Sequence, residues 1–497
     1  MKILKFRNGL RLLINIVFVS LYFLPLFYCS SSPEIKVGDN IVEDNLKKVA
    51  GISSKDVEIA LSKKSLSLDD LYVIAIERTE RVALRTEMAS QSKAAQHRAI
   101  AGFLPTLSYV YNKFYQIPGK TDDPTAVENY RTYQAIERGD GLYFAPSSST
   151  STLPPTVGQG SRLLLSFPLT GGFGAYQDYQ QYKFLEEQRL LEAKFEASRL
   201  YLEIAQGYFN ILQLAANLEI ATETLSLYED LLKEKKKMYS LGKIMRSDLL
   251  VSETAASNAF AYEEEVRMQY KQVKMALAMM IGLDSLIDLD RTSNQPTIDW
   301  KEFRNSDEDL INRYDVTSSK KSIEVAKANE KKAMLGFLPN MNLNTYYSFP
   351  FAGQSRNKDV IAQLTFTVPL TPITQFADLE TAESATKQAK LSASLTRRNA
   401  KIEIENAKRA LESSENMLKI YEDAYLNAQT TLKNQDIAYK IGRISLIDVI
   451  STKINTLNSK MTFERVKYQN QLNQVSYSIA LGIMPFAHSI GQNSLTE

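Results

Sequence analysis

The chain has 497 residues, 44% hydrophobic and 23% charged, which is long enough for more than one packing unit and ordinary for a folded protein. Fifty-nine basic residues against 57 acidic ones leave a net charge of +2, so nothing points to a nucleic-acid groove or an acidic partner. Two histidines far apart (His97 and His488), a single cysteine and no Gly-rich phosphate loop leave no material for a catalytic triad, a cofactor cradle or a metal cluster, which argues against an enzyme.

Residues 1–29 read as an export signal: Lys2, Lys5, Arg7 and Arg11 form a basic start, 12–28 are almost wholly apolar, and Cys29 follows. Cys29 stands where a bacterial lipoprotein would be acylated, although Tyr28 is large for the preceding position; the alternative is cleavage nearby, leaving Cys29 lost or inert. Residues 30–66 look like a polar tether. After the signal, no stretch approaches the ~20 apolar residues of a spanning helix, so any membrane crossing has to be β.

From there the sequence repeats itself. AGFLPTLSYVY (101–111) returns as LGFLPNMNLNTY (335–346), LSFPLT (165–170) as FTVPLT (366–371), and ALAMMIGL (276–283) as YSIALGI (477–483). A first unit over 67–283 is therefore expected to hold strands near 106–115 and 161–168 and a long helix hairpin over 174–282 with its tip at 240–248. After a connector at 284–305, a second unit over 306–485 holds strands near 340–349 and 360–369 and a hairpin over 374–482 with its tip at 440–448. A tail, 486–497, completes the chain. The first copy carries about 33 extra residues within 116–160, whose run APSSSTSTLPPT reads as a solvent-facing loop.

The strands alternate. In NMNLNTYYSF, Asn340, Asn342 and Asn344 share one face while Met341, Leu343, Tyr347 and Phe349 share the other; Gln363, Thr365 and Thr367 oppose Val360, Leu364 and Phe366. In the first copy Leu107, Tyr109 and Tyr111 share a face, as do Leu163, Leu165 and Phe167, with Val110 and Leu164 blurring the polar side. Such strands suit hairpins on a soluble core or the wall of an outer-membrane barrel with a neutral, polar interior. Four strands cannot close a barrel, so in lipid the barrel would be shared between chains.

The long helices keep a 3.5-residue period, as in Ala382, Thr386, Ala389, Ala393, Thr396 and Ala400, mostly with small side chains that allow close approach. The first copy shows two seams side by side, one through Tyr201, Ile204, Tyr208 and Ile211, the other through Leu202, Ala205, Phe209 and Leu212. A helix with two seams has two neighbours, and helices flanked on both sides make a wall. A pore-free periplasmic coiled-coil scaffold or adaptor is the alternative.

Between the helices of each hairpin lies a break, YSLGKIMRSD (239–248) and YKIGRISLID (439–448). Gly242 and Gly442 suit the left-handed residue that ends a helix, and Asp248 and Asp448 suit the start of the next.

The order LSLDD, FLP, FPLTGG, glycine-to-aspartate tip and LG ending, running from LSLDDLYVIAIERTERV (66–82) to ALGIMP (480–485), resembles the TolC family of bacterial outer-membrane channel proteins. The resemblance implies a mostly α fold with a small β part: a homotrimer whose 12-stranded transmembrane β-barrel, set in outer-membrane lipid, continues into a long periplasmic α-helical barrel. It further implies passage of substrates in an efflux or type I secretion system, with a periplasmic adaptor and an inner-membrane pump as partners. Asp248, Asp448, Tyr439 and Arg443 would then form the periplasmic gate. Gly242, Lys243, Ile244, Met245 and Arg246, with Gly442, Ile444, Ser445 and Leu446, would meet the adaptor. Ile444 stands where the family has arginine, Ser451 where it has a second acid, VPLTPI replaces FPLTGG in the second copy, and Thr79 replaces an asparagine.

Overall fold

The protein, as a computed structural model, is described over residues 52, 54–115, 157–285, 288–290, 313–349 and 360–485. Cys29 and the signal, most of the 116–160 loop, most of the connector and the tail lie outside the described residues. In chain order the elements are α1 (Ser54–Ser62), β1 (Ser65–Leu66), α2 (Leu68–Arg78), α3 (Glu80–Ala101), β2 (Thr106–Tyr115), β3 (Val157–Pro168), α4 (Gly171–Ser240) and α5 (Arg246–Met280). They continue with β4 (Asp288–Leu289), α6 (Tyr314–Leu335), β5 (Asn340–Phe349), β6 (Val360–Thr367), α7 (Ile373–Lys440) and α8 (Leu446–Ala480). The fold is mostly helical with a small sheet, and each half runs helix, strand, strand, long helix, return helix. None of the described helices is long and apolar enough to cross a membrane.

At 70 and 68 residues, α4 and α7 are rods of roughly 100 Å at ~1.5 Å per residue. Their upper parts and lower parts have different neighbours. Above, the wall runs α3, α4, α6, α7; below, it runs α5, α4, α8, α7. In α4 both sequence seams are filled: Tyr201, Ile204, Tyr208 and Ile211 are buried on one, Ala205, Phe209 and Leu212 on the other. By contrast α7 lies at the edge of the wall along its whole length. Its small-residue seam is covered at Ala382, Thr386, Ala400 and Ser414, while Leu391, Leu395, Ile402, Ile420 and Ile437 remain more than half exposed. Opposite, the α5 edge exposes Val251, Phe260, Met275 and Met279.

The main core sits where upper and lower walls meet. Ser67 starts α2 with a capping box, its Oγ accepting from Asp70 N–H at 3.3 Å while Asp70 accepts from Ser67 N–H at 3.0 Å. Leu71, Tyr72, Ile74 and Ala75 of α2 are fully enclosed, and Tyr72 meets Tyr201 edge-on with centroids 5.1 Å apart. The expected tether over 30–66 differs here. Helix α1 buries Val57 and Ala60 in this core, and Leu66 of β1 pairs in parallel with Leu289 of β4. That pairing spans more than 200 residues of chain, so no local pattern reveals it.

A buried arginine closes the second half. Arg313 is 3% exposed and donates to Ala480 C=O at 2.8 Å, to Asp315 at 2.9 Å and to Glu403 at 2.6 Å, tying the entry to α6 to α7 and the end of α8. Burial works against its charge, and the two carboxylates outweigh that and hold its pKa above the usual value.

Candidate functional site: sheet wall and hairpin tips

β2, β3, β5 and β6 form one antiparallel sheet in that order, with β2 and β6 at edges that no other described strand pairs. β3 begins at Val157, a few residues before the expected 161, and β6 ends at Thr367. The register sets Leu107 against Leu165, Tyr109 against Leu163, Phe167 against Leu343, and Leu343 against Leu364. Because side chains alternate along each strand, these pairings assemble one continuous apolar face from Leu107, Tyr109, Leu165, Leu343, Leu364 and Phe366. Leu107, Tyr109, Leu364 and Phe366 stand between 47% and 68% exposed, so none of the described residues covers that face. The opposite face carries Ser108, Ser166, Asn342, Asn344, Gln363 and Thr365. The alternation seen in each strand separately is thus in phase across all four. Arg162 also lies on the polar side, a charge that reading the interior as neutral passed over; its signal was a lone arginine next to the run LLLSF.

At the far end of the helical rods the two tips share one backbone design. Gly242 and Gly442 adopt φ of 69° and 76°. Gly242 N–H donates to Tyr239 C=O and Lys243 N–H to Met238 C=O, both at 2.9 Å; Gly442 to Tyr439 and Arg443 to Ala438 repeat those two bonds at the same length. This is the Schellman closure, which satisfies carbonyls left over at a helix end.

The caps are set differently from the sequence expectation. The N-cap of α8 is Ser445, and Asp448 is its third helical residue: Asp448 N–H donates to Ser445 Oγ at 3.2 Å while Asp448 accepts from Ser445 N–H at 3.1 Å. The bond from Ser445 Oγ–H, at 2.7 Å, is the first cause, ahead of the backbone bond, that holds the Asp448 carboxyl below its usual range. At the first tip Met245 takes the serine's place and has no hydroxyl, leaving Asp248 with the bond from Met245 N–H at 3.3 Å. Ile444, where the resemblance calls for arginine, is half-buried just as Ile244 is; each precedes the cap, opposite half-buried Val449 and Leu249.

Within one chain the four gate candidates are not brought together. Both aspartates are engaged by their own helices, and Tyr439 and Arg443 are exposed with no side-chain partner among the described residues. Lys243, Met245, Arg246, Ser445 and Leu446 are likewise exposed at the extreme end. The hairpins are held side by side just above by Ile220, Leu227, Ile450, Ile454 and Leu457, with Lys453 reaching Glu223 at 3.0 Å.

No family model matches the chain. Among curated proteins, the cation efflux system protein CusC of Escherichia coli (strain K12) is 23% identical over 294 residues, 57% of this chain and 64% of that protein. The aligned part is thus less than two thirds of that relative. Among solved structures, CusC superposes with a TM-score of 0.63 at 18% identity, covering 84% of this chain and 92% of that one. The outer membrane protein VceC from Vibrio cholerae gives 0.66 at 16% identity, with 84% and 96% covered. The Campylobacter jejuni CmeC outer membrane channel gives 0.65 at 16% identity, with 94% of each chain covered. The chain has the fold of the TolC family. Of these relatives, CusC is described as a cation efflux system protein and by its transmembrane channel formation, CmeC as an outer membrane channel, and VceC as an outer membrane protein.

Proposed function

We propose that the protein is the outer-membrane channel component of a tripartite export system, extending into the periplasm, and that it passes substrates without transforming them. The observation that carries this reading is the sheet: one continuous apolar face, one polar face and two open edges, at the end of a helical wall that also has open apolar edges. In lipid each open strand edge would leave several N–H and C=O groups unpaired at several kcal/mol each, a cost of tens of kcal/mol that a lone sheet cannot bear. Pairing β6 of one chain with β2 of the next removes it. Three duplicated chains then supply twelve strands, and the exposed residues of α7 meet the α5 edge of the neighbour, closing the helical tube.

The tips would form the periplasmic mouth, where Gly242 to Arg246 and Gly442 to Leu446 meet an adaptor and an inner-membrane pump. Asp248, Asp448, Tyr439 and Arg443 would form the gate through contacts between chains, since no side-chain contact among the described residues consumes Tyr439 or Arg443. The cation cargo named for the CusC relative is compatible with this architecture, as are other efflux substrates and type I secretion, because the pump selects the cargo. The test is single-channel conductance of the detergent-purified protein in planar bilayers, beside its mass in detergent. Trimer-sized protein whose channels widen in Asp448→Ala is the expected result; a soluble monomer would sink the reading.

A further inference from the structure

The four sheet strands contain two charged residues, Lys113 near the end of β2 and Arg162 in the middle of β3. The register places Arg162 opposite Val110 on one side and Ser348 on the other, one residue out of phase with Leu163 and Leu165, and so on the polar face. Its guanidinium carbon lies 5.3 Å from the centroid of the Tyr346 ring on β5, and Tyr346 Oη donates to Gln363 Oε1 at 3.4 Å. The ring holds the guanidinium against the wall without neutralising it. Arg162 Nε is buried with no hydrogen-bond partner, and no described carboxylate pairs with this arginine. A permanently charged group is thus kept on an otherwise uncharged polar wall with donor capacity unused, an arrangement that needs an anion to complete it.

Resting on the channel reading above, we propose that Arg162 faces the lumen and, with its copies in the neighbouring chains, forms a ring that favours anions in the sheet-lined part of the pore. The solutes favoured there carry carboxylate, phosphate or sulfate groups, which guanidinium binds through paired N–H donors. The ring lies about six residues from the periplasmic end of β3, roughly 20 Å along the strand, and so acts independently of the acids at the distant tips.

The test is the chloride-to-potassium permeability ratio under a KCl gradient for the parent, Arg162→Gln and Arg162→Lys, each measured with and without Asp448→Ala so that a closed tip does not hide the barrel. Arg162→Gln lowers the ratio at least about twofold and Arg162→Lys largely preserves it. In outer membranes, a charged, membrane-impermeant thiol reagent labels Arg162→Cys and spares Leu163→Cys, beyond the background set by the parent chain. Channels whose ratio is unchanged in Arg162→Gln overturn the inference and leave the channel reading standing, as does labelling of Leu163→Cys in place of Arg162→Cys. Channels in neither background overturn both.

Discussion

The two halves of the chain solve the same problems with different side chains. Each return helix ends on a left-handed glycine, Gly282 and Gly482, as each long helix ends on Gly242 and Gly442. At the tips a Cβ would meet nothing within 4 Å, whereas at Gly482 it would lie 3.2 Å from Arg313 Cα and at Gly282 3.0 Å from Arg78 Cβ. The ion pairs diverge similarly. Arg81 reaches Glu196 and Glu203 on α4 from an exposed position, while Arg313 makes its bonds to Asp315 and Glu403 from inside. The difference teaches that the backbone turn is common to both, while the crowding around it decides how much rests on each residue.

The largest expected effect follows from that crowding. Gly482→Ala combines the left-handed penalty of about 1–2 kcal/mol with overpacking of about 1–3 kcal/mol, whereas Gly442→Ala carries the first alone. Denaturant titration of the detergent-solubilised protein, followed by circular dichroism, compares the two; equal losses would break the distinction. Next, Arg313→Met should cost about 2–3 kcal/mol because it strands Asp315 and the Ala480 carbonyl, against less than about 1 kcal/mol for Arg81→Met at the exposed bridge. The same titration reads both variants.

At the tips the expected changes are smaller. Ser445→Ala removes the cap of α8 at about 1 kcal/mol, and Met245→Ser supplies the missing one to α5 with a gain of similar size. Amide exchange over 446–449 and 246–249 should move in opposite directions, and parallel movement would show that the tips do not differ in this way. The smallest effect is one of pH. Since the Asp448 carboxyl is held below its ordinary value, its contribution is fully present above the unfolded carboxylate range and is lost as pH falls through the lowered folded value. Protection at 446–449, corrected for intrinsic exchange, should therefore fall on acidification in the parent and change less in Ser445→Ala.

Much of the architecture was legible without coordinates because it is periodic or local. Alternation put Asn340, Asn342 and Asn344 on one face; heptad spacing marked both seams of α4; glycine chemistry marked both tips. Where the reading fell short, the cause was a contact between residues far apart in sequence. The segment 30–66 reads as a polar tether because Val57, Ala60 and Leu66 show their purpose only beside α2 and Leu289. Arg313 has no local pattern that marks it as buried, because its partner Glu403 lies 90 positions away. Asp448 was identified with the tip, but placing the cap at Ser445 required the helix boundary.

By itself the sequence determined which side of each strand and helix is apolar, where the rods turn back, and that no stretch after the signal approaches the ~20 apolar residues of a spanning helix. Those properties depend on a period of 2 or about 3.6 residues, or on a single glycine, and neither needs a distant partner. Only the tertiary structure decided that four separately alternating strands share one phase, that α7 stays at an edge while α4 is flanked on both sides, and that Arg162 stands on the polar wall with no carboxylate partner among the described residues. Each of these depends on register and neighbours, which long-range pairing sets and no local window contains.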